Sequence, residues 1–158
     1  MLGRLGWTVT LLLVTLTMGL EFAHLLEWQP KAEYPGALYV RLQESLYVWF
    51  GTVGAVLYVA AILATVALAV VRRRDRPPLV PLAALAEIVA LVTFLVFIFP
   101  VNQRFPIHSA GTVPPDWTAL RDRWEITHAG GFVLFAAAFL LLFSAARHTE
   151  VPAQPLTR

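Results

Sequence analysis

The chain has 158 residues, of which 58% are hydrophobic and 14% are charged, with a formal net charge of +2. A soluble domain of this size could not bury so much apolar surface, so the composition indicates a membrane protein and gives no support for nucleic-acid binding. The absence of cysteine excludes disulfides, thiolate-ligated iron–sulfur clusters and the Cys-x-x-Cys-His haem attachment motif.

Four apolar segments reach the length of roughly 20 residues that a helix needs to cross a bilayer. Prolines in the connections, among them Pro30, mark where helices are expected to break. The sequence therefore predicts an all-α, integral membrane four-helix bundle that forms a single domain over residues 1–158. In chain order the predicted spans cover residues 7–27, 47–71, 80–99 and 126–146.

Two helices are predicted to be longer than their apolar segments. Pro114 and Pro115 are typical of a first helical turn, so the last helix is expected to start near residue 114. The second helix is expected to start near Ala37. Both would extend beyond the membrane on its outer side and, with the two outer loops, would enclose a partly covered cavity.

Basic residues are unevenly divided between the two sides of the predicted bundle. By the positive-inside rule, the side that is richer in basic residues is cytoplasmic, and both termini lie there. We expect an integral protein of the bacterial plasma membrane, in contact with lipid. The cytoplasmic side would hold Arg4, Arg72, Arg73, Arg74, Arg76, Arg147 and Arg158.

A Glu-x-x-His motif occurs twice, at Glu21–His24 and at Glu125–His128, each near the outer end of its span. Residues three apart share a helix face, so each motif places a carboxylate beside an imidazole. Ionisable residues inside a membrane segment usually have a function. Together with Glu44, these four residues are candidate ligands for a transition metal, since imidazole and carboxylate suit iron, zinc or copper.

Two alternatives to the metal remain at this point. One is a buried polar network without metal, in which Glu125 pairs with Arg121, and Glu21 with Arg41 or Arg123. The other is haem b, which would need the imidazoles of the two motifs on opposite sides of a porphyrin-sized gap.

Glu87 is predicted to lie apart from these motifs, about 10 Å into the third span from its cytoplasmic end. A protonated, hydrogen-bonded carboxylic acid avoids the cost of a charge within the membrane. We expect Glu87 to bond Thr65 or Thr10, or to belong to a proton route.

Further polar residues are predicted to reach the level of the motifs. On the last helix Arg121, Trp124 and His128 share one face, which leads from the outer surface into the bilayer. Asn102 follows the third span, and Tyr47 begins the second. The candidate catalytic residues are His128, Asn102 and Trp124, and the candidate substrate-binding residues are Arg104, Arg121 and Tyr47.

The run Phe99-Pro100-Val101-Asn102-Gln103-Arg104, followed by Arg121-Asp122-Arg123-Trp124 and His128, resembles a family of small four-helix membrane proteins named for anthrone oxygenases. The resemblance covers mainly residues 95–145 and, in hydropathy, the whole chain. It implies oxygenation of an activated aromatic carbon, such as the conversion of an anthrone to an anthraquinone.

We therefore expect a membrane-embedded oxidoreductase or oxygenase with an outer-leaflet pocket for a small apolar or aromatic substrate. Oxygen would be activated by a bound metal, or His128 would act as a general base on the substrate. The alternative is a non-catalytic membrane subunit that binds haem, a quinone or a partner protein. Small residues at Gly51, Gly54 and Gly130–Gly131 would allow close helix packing, either within one bundle or in a homo-oligomer.

Overall fold

A computed structural model describes residues 2–74, 78–105 and 112–149. These residues form α-helices and one π-helical turn, and no strand occurs among them, which confirms the all-α prediction. The inner-loop position Arg76 and the tail position Arg158 lie outside the described residues. In chain order the elements are α1 (Leu2–Ala32), α2 (Gly36–Ser45), α3 (Tyr47–Val71), α4 (Leu79–Thr93), the π-helical turn (Phe94–Ile98), α5 (Phe99–Asn102) and α6 (Trp117–Thr149).

Four helical stretches are long and apolar enough to cross a membrane, and each contains one of the predicted spans. Their outward faces carry large apolar side chains; Val56 is 68% exposed and Leu140 is 61% exposed. Length and composition therefore indicate a membrane protein. The stretches are Arg4–Ala32, Tyr47–Val71, Leu79–Asn102 and Trp117–His148.

The four long helices pack as a bundle in which α1 contacts α3 and α6, and α4 contacts the same two helices. Small side chains allow the helices to approach closely at the centre, where Ala61, Ala83 and Ala138 are fully buried. Val14 and Phe135 fill the remaining space. This apolar core lies nearer the N-terminus of α1 and the C-terminus of α6 than the polar residues discussed below.

The predicted break at Pro30 is wrong, because α1 continues through that proline to Ala32. A proline so near the end of a helix removes only one backbone hydrogen bond, and the helix stops shortly afterwards. The extra turn carries Lys31, which lies beyond the predicted span 7–27. Lys31 therefore projects from the same helix as Glu21, His24 and Glu27.

Two further boundaries affect the site. The helix expected to start near Ala37 starts at Gly36 but is interrupted at Leu46, so it forms α2 and α3. The third membrane-length helix changes to π geometry just before Pro100. π turns within helices often accompany functional sites, and this one lies directly before the short α5, which carries Asn102.

Candidate functional site

The two Glu-x-x-His motifs meet across the contact between α1 and α6. Oε2 of Glu21 lies 2.8 Å from Nδ1 of His128, and both side chains are buried. The approach depends on Gly131, since a Cβ atom at that position would lie 2.9 Å from Glu21 Oε2. Tyr58 on α3 also interacts with the Glu21 carboxyl group. The site therefore contains a carboxylate–imidazole pair built from both motifs.

His24 packs directly against this pair. Its ring centroid lies 4.2 Å from that of His128 and 4.6 Å from that of Trp124. Nδ1 of His24 is buried and has no hydrogen-bond partner within the described part of the chain, and the nearest carboxylate oxygen, on Glu27, is 3.8 Å away. A buried ring nitrogen without a partner is costly, so this atom is suited to a bound group.

Lys31 forms a second polar cluster, nearer the end of α1. Its side chain is only 2% exposed, and Nζ lies 3.0 Å from Glu27 Oε2 and 3.2 Å from Glu125 Oε1. The rings of Tyr47 and Trp124 cover the ammonium at 4.4 and 4.7 Å. One buried cation thus compensates two carboxylates.

Two tyrosines complete the Lys31 cluster. Tyr47 donates a hydrogen bond to Glu27, and Tyr39 donates one to Glu125 at 3.3 Å. Tyr39 in turn accepts a hydrogen bond from Gln43. Burial, and then the charge of Glu125, raise the pKa of the Tyr39 phenol above its usual range.

The predicted pair of Trp124 and Asn102 is in contact. Nε1 of Trp124 donates to Oδ1 of Asn102 at 2.9 Å, which joins α6 to α5. The indole ring of Trp124 also contacts the ring of His128, with centroids 4.2 Å apart. Trp124 therefore connects the amide of Asn102 to the imidazole pair.

A cavity of about 550 Å³ lies beside these groups, between α3 on one side and α4, the π-helical turn and α5 on the other. Its lining is mostly apolar. Among the predicted site residues, the lining includes Glu21, His24, Glu44, Tyr47, Asn102, Trp124 and His128.

Three predicted site residues do not line the cavity. Arg104 pairs with Asp116 at the surface. Arg121 donates to the carbonyl oxygen of Ala32, at the end of α1, and pairs with Asp122. Glu125 is buried against Lys31, so the suggested pairing with Arg121 is wrong. The suggested pairing of Glu21 with Arg41 or Arg123 is also wrong, because Glu21 bonds His128.

The donor arrangement does not fit the predicted metal centre. Among the described residues, no group of three or more His, Asp or Glu side chains is arranged to hold a metal ion. The Lys31 ammonium occupies the position between Glu27 and Glu125 that a cation would take. The haem alternative does not fit either, because the rings of His24 and His128 contact each other and leave no gap for a porphyrin.

Glu87 lies apart from the site, as predicted. Its side chain is fully buried, and Oε1 accepts a hydrogen bond from Thr65 at 2.9 Å, which is one of the two expected partners. Oε2 has no partner within the described residues.

The site also contains four residues that the sequence patterns did not predict as site residues, namely Glu27, Lys31, Tyr39 and Tyr58. On a continuous helix, the spacing of Glu21, His24 and Lys31 places all three on one face, so Lys31 could have been predicted from the sequence. The expected break at Pro30 hid that pattern.

Comparison with known proteins gave no match: no family model, no curated protein and no solved structure is significantly similar to the chain.

Proposed function

We propose that the protein is a membrane-embedded enzyme that removes a proton from a small, largely apolar aromatic substrate, with His128 as the base. One observation carries this proposal: the His128 imidazole lines an apolar cavity while its Nδ1 is held 2.8 Å from the buried carboxyl group of Glu21. The site would face the extracytoplasmic side of a bacterial plasma membrane, with both termini in the cytoplasm.

The Glu21–His128 pair has the form of a general base with an orienting carboxylate. When Nδ1 carries the proton and donates to Glu21, Nε2 keeps its lone pair and can accept a proton from the substrate. The imidazolium that forms is stabilised by the Glu21 carboxylate. Because the pair is buried, little water competes for the proton.

Asn102 would stabilise the substrate anion. Its Oδ1 accepts the hydrogen bond from Trp124, so Nδ2 is the group that can donate to an oxygen of the substrate. A donor aimed at developing negative charge lowers the barrier of the deprotonation step.

Oxygenation is the part of the proposal that rests on the family resemblance. A methylene group between two aromatic rings, conjugated through them with a carbonyl group as in anthrone, would lose a proton to His128, and the resulting carbanion would react with O₂. The carbon retains one oxygen atom as a carbonyl group. The second oxygen atom leaves with two hydrogens as water, so the reaction balances. Because the donor set does not fit a metal, no step is assigned to one.

Oxygen uptake by the purified protein in lipid nanodiscs, with anthrone as the substrate, tests this proposal. The His128→Gln variant should be slower by about 10²- to 10⁴-fold, the range that general base catalysis contributes. His148→Gln is the matched control, since His148 is exposed near the end of α6.

Two results would contradict the proposal. If His128→Gln kept the wild-type rate, His128 would not be the base. If the wild type took up oxygen no faster than empty nanodiscs, the protein would not oxygenate anthrone.

A further inference from the structure

The cavity lining is divided along the helix axes into a polar end and an apolar end. Polar side chains come from the helix ends that also carry the imidazole pair. On α3, Gly51 lies at the level of the polar end and Val59 at the apolar end. The two residues are eight positions apart, which corresponds to about 12 Å along the helix axis. The polar lining includes Gln43, Glu44, His24, His128, Asn102 and Gln103, and the apolar lining includes Ala55, Val59, Leu91, Phe94 and Leu95.

The wall of the cavity on α3 includes small residues between larger ones such as Phe50 and Tyr58. A Cβ atom added at Gly51 would have no heavy atom within 4 Å, so the space beside this residue is open. The next turn presents Gly54 and Ala55. The cavity, with its volume of about 550 Å³, is large enough to hold a ligand beside these residues.

The edges of this gap are apolar and face the outside of the bundle. Val59 is 48% exposed, Leu95 is 51% exposed and Phe99 is 49% exposed, and all three line the cavity. All three belong to helices long and apolar enough to cross a membrane. In a bilayer, the opening between them would face lipid tails and would admit molecules dissolved in the membrane.

The polar end has atoms that lack partners. Within the described ranges, Nδ1 of His24 and Oε1 of Glu44 are buried without a hydrogen bond, and both residues line the cavity. Asn102, whose Oδ1 accepts from Trp124, can donate from Nδ2 to a ligand. A head group with hydroxyl and carbonyl oxygens would satisfy several of these atoms together, because a hydroxyl donates to the Glu44 carboxylate and either oxygen accepts from the Asn102 amide.

From these four observations we infer that the ligand is amphipathic, with an oxygen-bearing aromatic head and an alkyl tail, the chemical class of lipid-soluble quinones and quinols. It enters sideways from the bilayer between α3 and the π-helical turn. The head lies against His24, His128 and Asn102, and the tail lies along Val59 and Leu95. This inference rests on the proposed function, because the O–H group of a quinol head carries the proton that His128 would accept.

Binding of two probes to nanodisc-embedded protein, followed by quenching of tryptophan fluorescence, tests the inference. Decylubiquinone has the head and a tail, whereas ubiquinone-0 has the head alone. Wild-type protein should bind decylubiquinone at least tenfold more tightly. Gly51→Leu should weaken decylubiquinone binding at least tenfold, because the new side chain enters the cavity.

Gly19→Leu is the matched control, since Gly19 is also an exposed helical glycine with no atom within 4 Å of an added Cβ, but it does not line the cavity. Its binding should equal that of the wild type. If Gly51→Leu does not fold, Ala55→Leu narrows the same gap and decides the result.

Equal affinity for both probes, no binding of either, or unchanged binding in the folded cavity variant would overturn the inference. Turnover is measured separately. If wild-type protein binds decylubiquinone but does not take up oxygen with anthrone, the proposed chemistry fails while the ligand class stands, so the two failures are distinguishable.

Discussion

The carboxylate of Glu21 lies 2.8 Å from Nδ1 of His128, although 107 positions separate the two residues in the chain. The contact depends on α1 and α6 packing closely at Gly131, where an added Cβ would be 3.0 Å from Cδ of Glu21. A residue without a side chain thus permits the central interaction of the proposed site.

Gly131→Ala should therefore displace Glu21 from His128. Overpacking of a close contact typically costs about 1–3 kcal/mol, so the free energy of unfolding should fall by this amount, and the proposed turnover should fall with it. Denaturant titration in detergent micelles and oxygen uptake measure the two effects. Gly130→Ala is the control, because an added Cβ there meets nothing within 4 Å. Equal behaviour of the two variants would show that the contact at Gly131 is unimportant.

Lys31→Met should destabilise the protein strongly. Removing the ammonium leaves Glu27 and Glu125 close together without their cation, and breaking a buried ion pair in this way costs about 3–5 kcal/mol. Unfolding titrations would measure the change, and adding Glu125→Gln to the variant should recover part of it. Arg104→Met breaks an exposed pair with Asp116 and should cost at most about 1 kcal/mol. Similar losses in both single variants would refute the role of Lys31.

Thr65→Val should leave the buried carboxyl group of Glu87 without its hydrogen bond, at a cost of about 1–3 kcal/mol in unfolding free energy. Glu87→Gln should cost less, since its amide oxygen can still accept from Thr65. Thr93→Val is the control, because the Thr93 hydroxyl bonds only a carbonyl of its own helix. Turnover in Glu87→Gln should match the wild type, and a large loss would place Glu87 in the reaction.

Tyr39 should make stability depend on pH in alkaline solution. Burial raises the pKa of Tyr39 in the folded protein, so the folded state keeps the proton after the unfolded state has lost it. The contribution of Tyr39 to the free energy of unfolding is complete below about pH 10, the pKa of tyrosine in the unfolded chain. Above that pH it declines by at most about 1.4 kcal/mol per pH unit. Unfolding titrations at increasing pH should show a shallower decline in Tyr39→Phe than in the wild type. Parallel curves would contradict this expectation.

The sequence by itself determined the number and approximate limits of the membrane-length helices, because a long apolar run has few alternatives to a helix in a bilayer. It also placed both Glu-x-x-His motifs near one end of the bundle. The separation of Glu87 from the motifs followed from depth alone, since the rise per residue of a helix is constant. Thr65 was one of its two expected partners, and the structure shows that bond.

Only the tertiary structure decided which polar groups became partners. Helix periodicity shows which residues share a face, but the rotation of each helix about its axis depends on packing. Glu21 thus bonds His128, while Glu125, from the equivalent position of the other motif, bonds Lys31. The continuation of α1 past Pro30 supplied that lysine, and the gap between α3 and the π-helical turn created the cavity. The cavity is not encoded in a local pattern, because it depends on how neighbouring helices leave a space unfilled.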